Sequence, residues 1–268
     1  MKNLTITLLL LIIGNSIFAQ DCITVGNIAF GDNEYLKYKV YYNWKDVWLK
    51  AGTVIFEVED ELLKNTEIFH ITAIGKTYPF YNLFFKVNDV YETFVEKESV
   101  KPRKFLRSVH EGSFKLDHEY NFDRESLRVN TRSVVNKGIA KVKDFDFSPC
   151  TQDLLSAIYF MRTIDFKNMN IGDEKPVEVF LDNEFYNLSM IYKGKANVET
   201  KFGKISCLKV QPKVVSGRVF QDDESVIVYV SDDENKIPIL IESPLSVGVV
   251  KVVLEDFDHL KNKLNVID

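Results

Sequence analysis

The chain has 268 residues, 46% of them hydrophobic, and a formal net charge of −5 at pH 7. A mildly acidic chain without a basic run has no electrostatic footprint for nucleic acid, which excludes nucleic-acid partners. The length and the 20 Phe residues allow a substantial core, in one large β domain or two small ones.

Residues 1–20, MKNLTITLLLLIIGNSIFAQ, have the pattern of an export signal. Lys2 provides the basic n-region, and residues 4–13 form an apolar run. Ala19 is a small residue of the kind that a signal peptidase requires at its cleavage site. The run is shorter than the roughly 20 residues of a membrane-spanning helix. We predict a signal peptide at 1–20 and a periplasmic or secreted mature chain, 21–268, without a transmembrane span. An uncleaved anchor is the less favoured alternative, as is a lipoprotein, because the acidic Asp21 directly precedes Cys22.

Export places the three cysteines in an oxidising compartment, where one bridge and one leftover thiol can form. Cys207 lies in the alternating pattern KISCLKV, where cysteine usually behaves as a small buried apolar residue. Cys22 and Cys150 are therefore the predicted disulfide. The alternative is that all three cysteines are reduced and packed.

Period-two alternation of apolar and polar residues recurs along the mature chain. In YLKYKVYYNW (35–44), alternate apolar side chains share one face and Lys37 and Lys39 lie opposite. Many strands of five to ten residues, joined by short polar turns, predict antiparallel connections. No repeat or linker marks a boundary, so residues 21–268 are expected to form a single β-rich domain.

SPCTQDLLSAIYFMR, residues 148–162, departs from this pattern because it is apolar nearly all round at helical spacing. Ser148 as N-cap, Pro149 at the first position and Asp153 in the first turn predict a helix over about 149–163. A helix without a polar face is buried, and a flat sheet would cover one side of it only. The predicted fold is mainly β, a strongly curved antiparallel sheet or open barrel with this one buried helix.

Arg162 ends that helix and needs a polar partner. Asp153, nine residues earlier, faces the opposite way at 100° per residue. The turn SDDEN (231–235) offers Asp232 and Asp233. We predict a structural ion pair between Arg162 and Asp233.

Several segments, in order, cover nearly the whole mature chain and resemble the domain-of-unknown-function family 3108, exported proteins of Gram-negative bacteria. They are GDNEYLKYKVYYNW, AGTVIFEV, the KP at 101–102, EGSF at 111–114, TQDLLSAIYFMR, YVSDDENKIPILIE and SVGVVKVVLEDF. The resemblance implies a β-rich domain of the cell envelope and brings no activity, substrate or catalytic residue. A wider likeness to the curved half-barrels of the LolA and LolB type concerns the fold alone.

Motifs of phosphate-binding loops, dinucleotide folds, nucleophile elbows and zinc proteases are absent from the sequence. His110 and His118, with carboxylates nearby, are more simply solvated turn residues than a metal site. His70, in IFHITA, is more simply a hydrogen-bonded strand residue than a general base. We therefore predict no catalytic residue, metal or cofactor.

Aromatic residues are dense in WKDVW (44–48) and TYPFYNLFF (77–85). Buried, they would be core; exposed, they would form a binding surface. A cavity between sheet and helix would be lined by such side chains. The candidate ligand-binding residues are Trp44, Trp48, Tyr78, Phe80, Phe84, Leu155 and Tyr159.

The favoured function is a non-enzymatic periplasmic binding or carrier module for an apolar, lipid-like ligand. The alternative is a structural or interaction module whose partner is an envelope protein. A hydrolase acting on envelope polymers is the less favoured third hypothesis.

Overall fold

The computed structural model of the protein describes residues 25, 27–45, 47–81, 85–216, 226–245 and 248–267. Within these ranges the chain forms fifteen strands of one sheet and a single α-helix. The strands before the helix are β1 (Tyr35–Trp44), β2 (Val47–Leu63), β3 (Thr66–Thr77), β4 (Asn88–Glu96), β5 (Pro102–Glu111), β6 (Phe114–Asp123), β7 (Arg128–Val135) and β8 (Lys141–Asp146). After them come α1 (Leu154–Met161), β9 (Glu174–Leu181), β10 (Glu184–Thr200), β11 (Gly203–Ser216), β12 (Ile227–Ser231), β13 (Pro238–Pro244), β14 (Val249–Asp258) and β15 (Val266–Ile267).

Two meanders make up fourteen of the fifteen strands, and the short β15 pairs with β11. Each strand from β1 to β8 pairs with the next, and so does each strand from β9 to β14. The meanders join where β1 pairs antiparallel with β14, in a register that sets Tyr35 opposite Asp258. The outer strands are therefore β8 and β9, and the chain passes between them through the helix.

The sheet is strongly curved, so that its β9 edge packs against the inner side of the first meander. The rings of Phe180 and Tyr120 lie 5.1 Å apart between centroids. The Asp182 backbone N–H donates to the Tyr120 hydroxyl at 3.0 Å, and Arg107 Nη1 lies 2.8 Å from Asp182 Oδ1. Within the described residues β8 and β9 do not pair, so the barrel stays open. The predicted fold class is confirmed.

Helix α1 begins at Leu154, five residues later than predicted. Asp153 is the N-cap: its carboxylate accepts from the N–H groups of Leu155 and Ser156, both at 2.8 Å. Gln152 pairs with β9 instead of entering the helix, since its N–H donates to the Glu178 carbonyl at 2.9 Å. Extended pairing before Asp153 therefore sets the start of the helix.

The helix is enclosed, as its composition predicts. Every residue from 154 to 161 is buried or half-buried. A core cluster packs one side of the helix against the first meander and β9, through buried side chains such as Phe105, Tyr120 and Phe180. A second cluster lies where the two meanders join, around Leu36 of β1, Ile205 of β11 and Leu254 of β14.

Three predictions concern the N-terminus and the cysteines. The predicted signal peptide, residues 1–20, and Cys22 lie outside the described residues, so the Cys22–Cys150 disulfide stays a prediction. Cys207 is a free, fully buried cysteine, as its strand pattern predicts.

Across the described ranges, no helix is both long and apolar enough to cross a membrane.

Candidate ligand-binding cavity

A cavity of about 260 Å³ lies between the end of α1 and the part of the sheet where the two meanders join, formed by β1, β2 and β10 to β14. It is lined almost wholly by apolar atoms, from seven strands on one side and the helix on the other. The lining residues are Tyr38, Val54, Phe56, Ile158, Met161, Arg162, Phe166, Met190, Val210, Pro212, Val228, Val230, Lys236, Pro238, Ile241 and Val252.

The helix separates this cavity from the filled core. Leu155 and Tyr159 are 2% and 1% exposed and belong to the core cluster of the first meander. Ile158 and Met161 lie on another side of the helix and line the cavity. One apolar side of the helix therefore packs in the core, and another lines the cavity.

A buried ion pair stands at the end of the helix where the cavity wall begins. Arg162 Nη1 lies 2.6 Å from Glu34 Oε1, and Arg162 Nη2 donates to Glu34 Oε2 at 2.8 Å. Arg162 Nε also donates to the Asn235 carbonyl at 3.1 Å. Burial opposes the charge of Arg162, but the adjacent carboxylate of Glu34 raises its pKa above the ordinary value. The guanidinium is therefore a satisfied structural cation.

The predicted pair of Arg162 with Asp233 is wrong. The carboxylate of Asp233 caps its own turn instead, accepting from Ser231 Oγ at 2.8 Å and from the Asn235 N–H at 2.9 Å. The turn reaches Arg162 through the Asn235 carbonyl. Glu34 takes the place of Asp233 because the start of β1 lies beside the end of the helix.

Tyr38 is the cavity residue with an unsatisfied polar atom. Its side chain is 2% exposed, and its hydroxyl has no hydrogen-bond partner among the described residues. Burial raises the pKa of this phenol well above its ordinary value, so the group stays protonated. A buried O–H without an acceptor can donate to an oxygen of a bound molecule.

Three of the aromatic residues predicted to bind ligand, Trp48, Tyr78 and Phe80, lie apart from this cavity. Trp48 is 45% exposed, with Lys251 Nζ 5.1 Å from its ring centroid. Phe80 is 67% exposed, and Tyr78 is half-buried with its N–H bonded to the Ala51 carbonyl at 3.0 Å. Phe84 and the side chain of Trp44 lie outside the part of the chain that the structure describes.

The rings of His70 and His118 belong to local hydrogen-bond networks. His70 Nε2 lies 2.9 Å from Glu92 Oε2, and the ring stacks on Phe94 at 4.3 Å, which confirms the strand-histidine interpretation. His118 is buried, not a solvated turn residue: its Nδ1 lies 3.0 Å from the Tyr120 hydroxyl, and burial lowers its pKa. The described residues contain no His, Cys, Asp and Glu group arranged to hold a metal ion.

A family model described as "Protein of unknown function (DUF3108)" matches residues 37–255. Among solved structures, the chain is similar to a beta-barrel-like protein of the domain of unknown function DUF1849 from Brucella abortus. The TM-score is 0.56 at 8% identity, over 86% of this chain and 98% of that chain. At this identity the likeness shows the fold alone. No curated protein matches the sequence.

Proposed function

This chain belongs to the DUF3108 family of proteins of unknown function, and we propose that it is an exported binding or carrier protein for an apolar, lipid-like ligand. The cavity beside α1 carries the proposal, because its walls are apolar on both the helix and the strands. Ligand sites are concave and mostly apolar, with a few polar groups that orient the ligand. Export to the periplasm is part of the proposal and is supported by the signal-like residues 1–20.

The size of the cavity limits the ligand. A volume of about 260 Å³ is slightly below the roughly 300–1,000 Å³ of sites for drug-sized molecules. A single short acyl chain, or the end of a longer one, fits this space better than a whole phospholipid. An ester or carboxyl oxygen near Tyr38 would satisfy its buried hydroxyl.

A fluorescent fatty-acid analogue tests the proposal on protein purified from the periplasm of a Gram-negative host. Val252 lines the cavity, whereas Val253, the next residue of β14, points to the other face of the sheet. Val252→Phe fills the cavity and is expected to weaken probe binding by about tenfold, since lost apolar burial of about 1.4 kcal/mol has that effect. Val253→Phe adds the same ring outside and leaves the affinity unchanged.

Two results would contradict the proposal. One is wild-type protein that shows no saturable probe binding and releases no lipid on solvent extraction. The other is equal binding by both variants, which would place the probe elsewhere on the protein. Circular dichroism of both variants checks that each has folded.

A further inference from the structure

Large apolar side chains are exposed at one end of the first meander. Because successive strands run in opposite directions, the β3–β4, β5–β6 and β7–β8 connections all lie at the same end of the sheet. We call their described residues, 78–81, 85–88, 111–115 and 135–142, the rim. Its exposed large apolar residues are Phe80, Phe85, Phe114, Val135, Ile139 and Val142.

Hydrogen bonds tie the three connections into one continuous edge. The Gly112 N–H donates to the Lys86 carbonyl, and the Asn136 N–H donates to the Lys115 carbonyl, both at 2.8 Å. A Cβ at Gly112, whose φ is +59°, would lie 3.2 Å from the ring of Phe85. Glycine at this turn therefore lets the Phe85 ring lie against it.

The rim is also basic within an acidic protein. It carries Lys86, Lys115, Lys137 and Lys141 against the single acidic residue Glu111, a formal charge of +3 from those described residues. The whole chain has a net charge of −5. Ile139 is the most exposed of these apolar residues, at 92%, and lies in the sequence between Lys137 and Lys141.

We propose that the rim docks this protein on the surface of an anionic phospholipid bilayer. Apolar side chains that enter the headgroup region, flanked by lysines that meet anionic lipid, are the features of interfacial membrane binding. Exposed large apolar side chains gathered at one end of a sheet mark an interaction site, and the lysines select among its partners. A second copy of the chain would bring the same positive charge against this one. This proposal does not depend on a ligand in the cavity.

Co-sedimentation of the mature protein with vesicles tests this docking. Vesicles of phosphatidylcholine mixed with phosphatidylglycerol are expected to bind the protein, and vesicles of phosphatidylcholine alone to bind it much more weakly. Added salt should weaken binding, because it screens the lysines.

Ile139→Ser is the test variant, expected to weaken vesicle binding by about tenfold through lost apolar burial. Ile171→Ser is its matched control, since Ile171 is also an exposed isoleucine, at 73%, in the connection that leads into β9 at the opposite end of the sheet. The control should bind vesicles as the wild type does. Exposed positions of this kind leave folding intact.

Three outcomes would overturn the proposal. The first is that the wild type does not sediment with the anionic vesicles. The second is that both serine variants lose vesicle binding equally. Alternatively, light scattering would show a dimer that Ile139→Ser converts to a monomer, which would make a second copy the occupant of the rim.

Discussion

Arg162 and Glu34 form a two-point ion pair that joins the end of the helix to the start of the first strand. The nitrogen–oxygen distances are 2.6 and 2.8 Å, and the two side chains are 3% and 0% exposed. The rings of Phe30 and Tyr159 cover the guanidinium, with its carbon 5.3 and 5.0 Å from their centroids. The pair therefore fixes α1, which forms one wall of the cavity, to the base of the sheet.

Arg162→Met is expected to lower the free energy of unfolding by about 3–5 kcal/mol, because it leaves the buried carboxylate of Glu34 without a counter-charge. Urea unfolding measures the change. Adding Glu34→Leu to Arg162→Met should restore much of the loss, since the unpaired charge is then gone.

The pair of Arg128 with Asp146 provides the control for Arg162. Its side chains are 57% and 91% exposed, and exposed ion pairs contribute about 0–1 kcal/mol. Arg128→Met should therefore change stability little. If Arg162→Met and Arg128→Met lowered the free energy of unfolding equally, burial would not be what makes the Arg162–Glu34 pair important for stability.

Asp153 is expected to make stability depend on pH. Burial raises the pKa of its carboxyl from 3.8 to about 6, against the opposing hydrogen bonds from Ser156, Thr93 and Leu155. The folded state thus holds the proton more tightly than the unfolded chain, and this contribution is present below about pH 3.8 and lost as pH rises through 6. The full loss is on the order of 3 kcal/mol at 1.36 kcal/mol per pKa unit.

Asp153→Asn isolates that contribution, because asparagine is an equally good N-cap without a charge. The stability of the variant relative to the wild type should rise between pH 4 and pH 7. Urea unfolding at both pH values measures it, and parallel profiles would show that burial of Asp153 does not shift its titration.

Tyr38→Phe is expected to stabilise the free protein by about 1 kcal/mol, because it removes a buried hydroxyl that lacks a partner. The same change should weaken a ligand whose oxygen accepts from that hydroxyl. Tyr120→Phe is the matched control, since the Tyr120 hydroxyl accepts from the Asp182 N–H and its loss should destabilise. Destabilisation by Tyr38→Phe would show that its hydroxyl is satisfied in the free protein.

The predicted Cys22–Cys150 disulfide can be counted by alkylation and mass spectrometry. We expect one labelled thiol per denatured mature chain before reduction and three after it. The bridge would close a loop of more than 100 residues, so Cys22→Ser should cost up to about 5 kcal/mol in the chain-entropy model. Three labelled thiols before reduction would show that the cysteines are unpaired.

The sequence predicted the curved sheet and the enclosed helix because both follow from periodicity. The period-two pattern marked strands such as YLKYKVYYNW, and the apolar segment 154–161 required cover on every side. The start of the helix was misplaced because Ser148 and Pro149 satisfy capping rules locally, while the tertiary pairing of Gln152 with β9 is not visible in the sequence.

The cavity was less predictable than the fold. Leu155 and Ile158 are equally apolar, so no local feature showed that the first packs in the core and the second borders open space. Glu34 was not identified as the partner of Arg162 because the polar stretch GDNE has no local feature that indicates burial, although Glu34 is fully buried. Both facts depend on which strands are neighbours in space.

The pairing of β1 with β14 has a consequence for the order in which the chain can fold. Tyr35 and Asp258 face each other in that ladder, so its two strands lie far apart in the sequence and are synthesised at different times. The first meander can assemble from local hairpins, but the edge of β1 that faces β14 stays unpaired until β14 has been synthesised. Contacts of such long sequence separation slow folding, and an open edge invites association with other chains. A chaperone that covers the unpaired edge of β1 before β14 is present would therefore favour correct folding over aggregation.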